Sequence, residues 1–184
     1  MPASVEGGLL GCFGGMAPPP TPAQFVLPDT GAFPNSRLPV LLYRGVVPPT
    51  PNPADWLEQT FIVNNWTNNW RNGILTYPHY HSTTHEVLGI YAGSATLQLG
   101  GESGPLIDVQ AGDVLVLPAG VGHCNRRQSG DFGVVGGYPD GRDWDLLRGR
   151  AGERPAADQA IARLPIPDSD PLFGLQGPLM PIWK

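Results

Sequence analysis

Short apolar runs separated by turn residues fill the middle of the chain. Between Trp66 and Tyr138 a glycine-rich or polar turn recurs about every 8–12 residues, which is typical of an all-β sandwich or barrel. The pattern predicts strands at Ile74–His81, Glu86–Ala92, Ala95–Leu99, Leu106–Val109, Val114–Leu117, His123–Gln128 and Phe132–Tyr138.

The segments on either side carry helix and edge-strand signals. Asn52-Pro53-Ala54-Asp55 is typical of a helix start, and that helix should end near Asn64. A second short helix is predicted over Ala156–Leu164, because a proline follows it directly. Leu38–Tyr43 is predicted to be an edge strand, because Pro39 lacks the N–H that a central strand needs.

Composition and charge limit the classes of function. A hydrophobic content of 41% in 184 residues is enough for one domain with a core. The net charge of −5 and the scattered basic residues argue against nucleic-acid binding. No apolar run approaches the roughly 20 residues that span a bilayer, so we expect no membrane partner. Two cysteines predict no disulfide framework, and the cytosol is the default compartment.

The domain boundary is predicted from the glycine and proline content of the first residues. Residues 1–22 contain five glycines and five prolines, and the first basic residue is Arg37. We interpret this stretch as a flexible tail and not as a targeting segment. Residues 23–184 are then expected to form a single domain, in which Leu179 and Trp183 attach a loop-like C-terminal segment to the core.

The first of two histidine clusters has the spacing of a metal site. Its order is Gly73, five residues, His79-Tyr80-His81, four residues, Glu86, six residues and Gly93. On a strand, His79 and His81 point to the same face. If Glu86 also points inward, Leu88 and Ile90 follow it into an apolar interior.

The second cluster supplies one more histidine. Its order is Gly112, five residues, Pro118-Ala119-Gly120, two residues and His123. Three imidazoles and one carboxylate, from His79, His81, Glu86 and His123, can bind one divalent transition metal and leave positions open for water, oxygen or substrate. This donor set suits Fe, Mn, Zn, Ni, Co and Cu alike.

The two clusters resemble the two signature motifs of the cupin superfamily, Gx5HxHx3-4Ex6G and Gx5PxGx2Hx3N. The first motif matches at every fixed position. The second matches through His123, but its final Asn falls at Arg127, and Asn125 stands two residues earlier. The resemblance implies a jelly-roll barrel of two sheets, often dimeric, with a metal in the barrel mouth.

A more specific resemblance is to the bacterial YjlB-like cupins, a subgroup without an established reaction. It covers roughly residues 23–184 and is carried by Asn69–Ile74, His79–Gly89, Ala111–Gly120, Val135–Pro139 and the tail motif Asp170-Pro171 … Gly177-Pro178-Leu179. We therefore expect an all-β, single-domain cupin jelly-roll barrel with a short helix on its N-terminal side and a short C-terminal helix. A homodimer is expected from the resemblance and from the extended segment after residue 22.

The spacer before the carboxylate leaves one alternative open. The cupin motif allows three or four residues there, so His85 could stand in the place of Glu86. The six residues that separate Glu86 from Gly93 favour Glu86 as the ligand and make His85 a pocket residue. Tyr77 or His85 is the candidate proton carrier for a bound ligand, because both lie near the metal cluster.

Other polar and aromatic residues have simpler interpretations. Trp66 and Trp70 are expected to pack in the core or at an edge. Arg71 is expected to form a salt bridge and not to bind a substrate carboxylate. The charged run Asp140–Arg150 is interpreted as a solvated loop.

The function that this sequence favours is a metal-dependent enzyme acting on a small polar metabolite, with dioxygenase-like or isomerase/lyase-like chemistry. His79 and His81 alone would be two satisfied strand histidines. Four ligand-type residues in two spaced motifs favour the metal. The alternatives are a cupin that binds a small molecule or a metal without turnover, and a metal-free structural barrel.

Overall fold

The computed structural model describes residues 18–184, so most of the predicted tail lies outside the described residues. Within this range the elements follow in the order β1 (Ala23–Leu27), β2 (Ser36–Tyr43), α1 (Pro53–Val63), β3 (Trp66–Asn72), β4 (Glu86–Ala92), β5 (Ser94–Leu99), β6 (Leu106–Gln110), β7 (Val114–Leu117), β8 (His123–Gln128), β9 (Gly133–Pro139), α2 (Ala156–Ala162) and α3 (Leu179–Ile182).

The strands form two antiparallel sheets that enclose a common core. The larger sheet has the order β1-β2-β7-β4-β9-β3, and the smaller has the order β6-β5-β8. Side chains from both sheets, among them Leu88 of β4 and Leu97 of β5, belong to one buried cluster. The predicted all-β, single-domain jelly-roll fold is confirmed.

The central strands β7, β4 and β9 of the larger sheet are buried on both faces, which explains their continuous apolar runs. Leu88 and Ile90 of β4 face the space between the sheets, as predicted, whereas Val87 faces outward. The outer face is covered by α1 and by the C-terminal segment. Alternate residues of one strand therefore enter two different cores, and the sheet between them is held rigidly.

Helix α1 covers the outer face of β4. It begins at Pro53 and its C-cap is Asn64, which confirms its predicted bounds. Leu57 and Phe61 are fully buried against Gly89, where a Cβ atom would lie 2.6 Å from a methyl carbon of Leu57. None of the helices found between residues 18 and 184 is long and apolar enough to cross a membrane.

The predicted edge position of the strand around Pro39 is wrong. Strand β2 lies inside the sheet, between β1 and β7. On one side, the register with β1 shifts between the pairs Val40–Phe25 and Ser36–Leu27. On the other side, pairing with β7 begins only at Leu41. The irregular register leaves Pro39 outside both sets of paired residues, so its missing N–H is tolerated.

The predicted strand Ile74–His81 is also wrong. The strand in this region is β3, Trp66–Asn72, which pairs with β9 through a bulge that contains Asn68 at a φ of +55°. Between β3 and β4 the chain forms isolated bridges only, from His79 to His123 and from Tyr80 to Leu147. Pro78 supplies no backbone donor immediately before these bridges, so a regular ladder does not extend through this segment.

The C-terminal segment is attached to the sheet through one buried carboxylate. Asp170 is fully buried and accepts a 2.5 Å hydrogen bond from the Tyr43 hydroxyl of β2. It also accepts hydrogen bonds from the backbone N–H groups of Leu172, Phe173 and Leu179. The single side chain of Asp170 thus pairs with three backbone N–H groups of an otherwise irregular segment.

The predicted attachment of this segment by Leu179 and Trp183 agrees with the structure. Both side chains are buried in the outer core, and the Trp183 indole donates a 2.9 Å hydrogen bond to the Pro39 carbonyl. Leu179 opens α3, a four-residue helix that the sequence did not predict.

We predict that Asp170→Ala lowers the free energy of unfolding by about 3 kcal/mol, because four donors lose a buried, charged acceptor. Urea denaturation measures the change. Asp168→Ala, an exposed aspartate two residues earlier, is the control and should stay within about 0.5 kcal/mol of the parent protein. Equal effects of the two substitutions would contradict the anchoring role.

Candidate metal centre

Three histidines meet where the two sheets come together. The backbones of His79 and His123 exchange hydrogen bonds of 3.1 and 2.9 Å, and this bridge brings their ring centroids to 4.1 Å. His81 lies beside them, with its ring 5.5 Å from that of His79. All three are buried, and one ring nitrogen from each lies within 4.8 Å of the others. Together they could hold a metal ion.

Backbone carbonyls fix the protonation and orientation of each ring. The Nδ1 atom of His79 lies 3.1 Å from the Tyr77 carbonyl, and that of His123 lies 3.0 Å from the Val121 carbonyl. The Nδ1 atom of His81 contacts the Asp145 carbonyl. A carbonyl oxygen only accepts hydrogen bonds, so each Nδ1 carries a proton and donates. Each Nε2 lone pair is therefore free for a metal.

Glu86 adjoins this cluster from the first residue of β4. Its Oε2 atom lies 3.5 Å from His81 Nε2 and 3.3 Å from His123 Nε2. Oε2 is buried and has no hydrogen-bond partner among the described residues. Acceptor lone pairs that face one another at these distances repel unless a proton or a cation lies between them. The donor set therefore fits a divalent metal.

The pKa shifts within the cluster also favour a positive charge between these side chains. Burial and the neighbouring His123 ring lower the pKa of His79 to about 3. Burial disfavours charge on Glu86, but His81 and His123 outweigh it and hold the pKa of Glu86 well below its usual range. Burial likewise opposes protonation of His81, yet the Glu86 carboxylate raises the pKa of His81. A buried anion thus draws positive charge into the site.

A hydrogen-bond relay fixes the other carboxylate oxygen of Glu86. The Trp70 indole N–H donates to the Tyr138 hydroxyl at 2.8 Å, and that hydroxyl donates to Glu86 Oε1 at 3.3 Å. An indole can only donate and a carboxylate can only accept, so the direction of the relay is unambiguous. It occupies Oε1 and leaves Oε2 facing the histidines.

Tyr138 is a residue that the sequence analysis missed. It lies on β9, where Val134 belongs to the core between the sheets. A signal was available, because residues four apart on a strand share a face and Tyr138 therefore points the same way as Val134. Trp70, expected to be packing only, joins it at the pocket. Trp66 is buried in the outer core, as expected.

The loop after β9 is not simply solvated, in contrast to the interpretation of Asp140–Arg150. The Asp145 carboxylate accepts hydrogen bonds from the backbone and hydroxyl of Ser82 at 2.7 and 2.6 Å. It accepts two more from Thr83 at 3.2 Å. The same residue orients His81 through its carbonyl. The loop is thereby fixed against the segment that carries a metal-site histidine.

A pocket of about 360 Å³ opens onto the cluster. Its walls include the three histidines and Glu86 together with Trp70, Leu75, Tyr138, Trp144 and Leu146. The motif positions Asn125 and Arg127 do not line it. Arg127 is exposed, because the register of β8 shifts opposite Thr96 and Leu97.

The structure places His85 on the far side of the strand from this pocket. Its ring packs 5.0 Å from that of Trp183, and its Nδ1 accepts a 2.9 Å hydrogen bond from the Ala119 N–H. Burial lowers the pKa of His85 to about 4. Glu86, and not His85, lies beside the three histidines.

Tyr77 also lies outside the pocket lining. Its ring centroid is 6.0 Å from that of His79, and the Arg148 guanidinium lies 3.9 Å above its ring. Its carbonyl, not its hydroxyl, contributes to the site by orienting His79. A proton-carrying role for Tyr77 or His85 stays a prediction.

Comparison with known proteins identifies the family of this chain. The family model described as Cupin matches residues 48–135. Over 160 residues the chain is 38% identical to the uncharacterized protein YjlB of Bacillus subtilis (strain 168), and the match covers 86% of this chain and 94% of the relative. This chain is a YjlB-like cupin. The resemblance inferred from the two histidine motifs is confirmed.

Solved structures resemble this cupin over part of its length. Procruciferin, an 11S globulin from Brassica napus, matches 42% of the cupin and 20% of its own chain, with 20% identity and a TM-score of 0.35. A DUF861 family protein from Thermotoga maritima matches 54% of the cupin and 96% of its own chain, with 21% identity and a TM-score of 0.32. Likeness at this level carries no argument about function.

We predict that the purified cupin binds one divalent transition metal per chain and that His79→Ala lowers the metal affinity at least about tenfold, because one of three convergent imidazoles is lost. Elemental analysis and chelator competition measure this. His85→Gln is the matched control, since His85 packs on Trp183 outside the cluster. Loss of metal from His85→Gln together with full retention by His79→Ala would refute the assignment.

We further predict that Tyr138→Phe weakens metal affinity about tenfold, because Glu86 loses the hydrogen bond that orients its carboxylate. Chelator competition on folded protein is the readout. Tyr91→Phe, a hydroxyl deletion on β4 outside the pocket, should leave the affinity unchanged. An unchanged affinity in Tyr138→Phe would show that the relay does not support the site.

Proposed function

We propose that this cupin is a metal-dependent enzyme that acts on a small polar metabolite bound in the pocket beside the three histidines. The observation that carries the proposal is the convergence of one ring nitrogen from each of three buried histidines. The unpartnered Oε2 of Glu86 lies 3.5 Å from His81 Nε2 and 3.3 Å from His123 Nε2. Purely structural histidines would be expected to use both ring nitrogens in hydrogen bonds within the protein.

His79, His81, His123 and Glu86 would hold one divalent transition metal. When bound, such a metal supplies Lewis-acid polarisation of a substrate oxygen or a binding position for dioxygen beside the substrate. Dioxygenase-like and isomerase- or lyase-like reactions are both compatible with this donor set when coordination positions stay open. Elemental analysis identifies the metal, and activity measurements decide between these reactions.

The residues around the cluster would orient a ligand, exclude water from the pocket and hold a proton beside the ligand. Trp70, Tyr138 and Trp144 form part of the pocket wall, and a hydrogen bond joins the first two. Burial and the Glu86 carboxylate raise the pKa of Tyr138 well above its ordinary value, so its hydroxyl keeps its proton at neutral pH. The Tyr138 oxygen is thus a fixed site at which a proton is held beside the ligand position.

The expected partners and compartment remain proposals. A small-molecule ligand is proposed from the size of the pocket. A homodimer stays a prediction. The extended segment on which it partly rests forms β1, which pairs with β2 of its own chain. A cytosolic location and the absence of nucleic-acid and membrane partners also stay predictions.

We predict that the metal-replete cupin consumes oxygen or forms product with at least one member of a panel of hydroxy acids, sugars and diols, catechols among them. His79→Ala should lose at least about 100-fold in kcat/KM, because substrate activation depends on the metal. An oxygen electrode and product chromatography provide the readouts. The Tyr91→Phe variant, altered outside the pocket, controls for general damage.

Two outcomes separate the rival functions. If the metal-replete protein turns over no compound in the panel but its melting temperature rises with one of them, the cupin is a binding module and the enzyme proposal is wrong. If folded protein retains no metal under any loading condition, the metal-free barrel replaces both.

A further inference from the structure

The pocket beside the metal cluster offers no free positive charge to a ligand. Among the described residues that line it, Arg71 is the one cationic side chain other than the histidines. Its guanidinium is engaged by the carboxylates of Asp55, at 2.7 Å, and Glu58, both on α1 at the outer face of the sheet. A ligand carboxylate or phosphate away from the metal would therefore leave water for a pocket wall that offers it no counter-charge.

At the mouth of the pocket a ligand meets aromatic and aliphatic side chains instead of a free cationic group. Trp144 is 48% exposed, although its ring lies 5.7 Å from His81 and is tilted only 28° from that of Tyr138. Leu75 and Leu146, about 40% exposed, lie on the same pocket. A tryptophan face left open beside a buried polar cluster is a surface on which a flat ligand can stack.

The position of this mouth is fixed and not left to a mobile loop. Trp144 and Leu146 flank Asp145, whose carboxylate is held by Ser82 and Thr83. Leu147 then exchanges backbone hydrogen bonds of 2.9 and 3.0 Å with Tyr80. The loop is anchored on both sides of the exposed ring, so the distance from the indole to the metal ligands is set by the fold.

We propose that the natural ligand of this site is an uncharged molecule that presents oxygen donors to the metal and a flat, unsaturated ring to Trp144. This inference deepens the function proposed above and rests on it. It makes Trp144 the residue that determines specificity, while the histidines and Glu86 supply binding that is common to all metal-chelating ligands. Anionic metabolites and small acyclic chelators are disfavoured by the same arrangement.

A series of hydroxamic acids with one chelating group tests the proposal. Acetohydroxamic acid carries no ring, benzohydroxamic acid adds a phenyl ring, and 4-carboxybenzohydroxamic acid adds a carboxylate to that ring. Calorimetric titration of the metal-loaded protein should show benzohydroxamic acid binding about tenfold more tightly than acetohydroxamic acid. The added carboxylate should remove that gain, because no free cation meets it.

Substitutions at the mouth of the pocket decide whether Trp144 causes the preference for the probe that carries a ring. Trp144→Ala should weaken benzohydroxamic acid about tenfold and leave acetohydroxamic acid unchanged, since the chelating group does not use the indole. Trp144→Phe should restore most of the difference between the two probes. Leu175→Ala, an exposed apolar truncation outside the pocket, is the control and should change neither affinity.

Equal affinity of the parent protein for the first two probes, or an equal loss of both in Trp144→Ala, would overturn the proposal. Tighter binding of the carboxylated probe would do the same. Metal content is measured first, so that failure of the proposed function is recognised separately. In protein without metal, ligand-observed NMR with benzamide and acetamide decides the ring preference, and it should again favour the ring and depend on Trp144.

Discussion

Three N–H···O=C hydrogen bonds determine what this barrel can do. The Nδ1 protons of His79, His81 and His123 are each directed at a backbone carbonyl, which turns the three Nε2 lone pairs toward one another. Glu86 Oε2 lies within 3.5 Å of two of these atoms, those of His81 and His123. Such an arrangement of acceptors is unfavourable in a buried site without a cation. The rest of the structure holds these acceptor atoms close together. A cation between them would remove their repulsion, and this is the physical basis of the proposed metal site.

The larger sheet has a hydrophobic core on each of its two faces, and this packing holds the metal-site residues in position. Leu57 and Phe61 of α1 pack on its outer face, and the C-terminal segment is attached there by Asp170. With the outer face held, the inner face can carry polar ligands at strand ends without losing its alignment. The carboxylate on β4 and the phenol on β9 then meet across adjacent strands as parts of a rigid scaffold.

Much of this arrangement could be predicted from local sequence signals. Strands β4 and β8 match their predicted ranges, because turn residues bound both segments. Turn glycines at positive φ, such as Gly93 at +66° and Gly112 at +97°, fix the spacing that made the metal cluster recognisable. The inward direction of Glu86 followed from its two-residue spacing to Leu88.

What could not be predicted depends on contacts between distant parts of the chain. Asp145 binds Ser82 and Thr83 more than 60 residues earlier, and charged loop residues carry no local pattern that would reveal such pairing. The strand β3 was missed because its bulge at Asn68 breaks the alternation of Trp66 and Trp70. A long-range hydrogen bond or an irregular register leaves too weak a periodic signal to detect.

The central claim is tested most directly by an anomalous difference map of the metal-loaded crystal, collected at the absorption edge of the bound metal. The account predicts one peak per chain, about 2.0–2.2 Å from the Nε2 atoms of His79, His81 and His123 and from Glu86 Oε2. A peak bound through His85, a peak elsewhere in the chain, or no peak in protein shown to carry metal would contradict it.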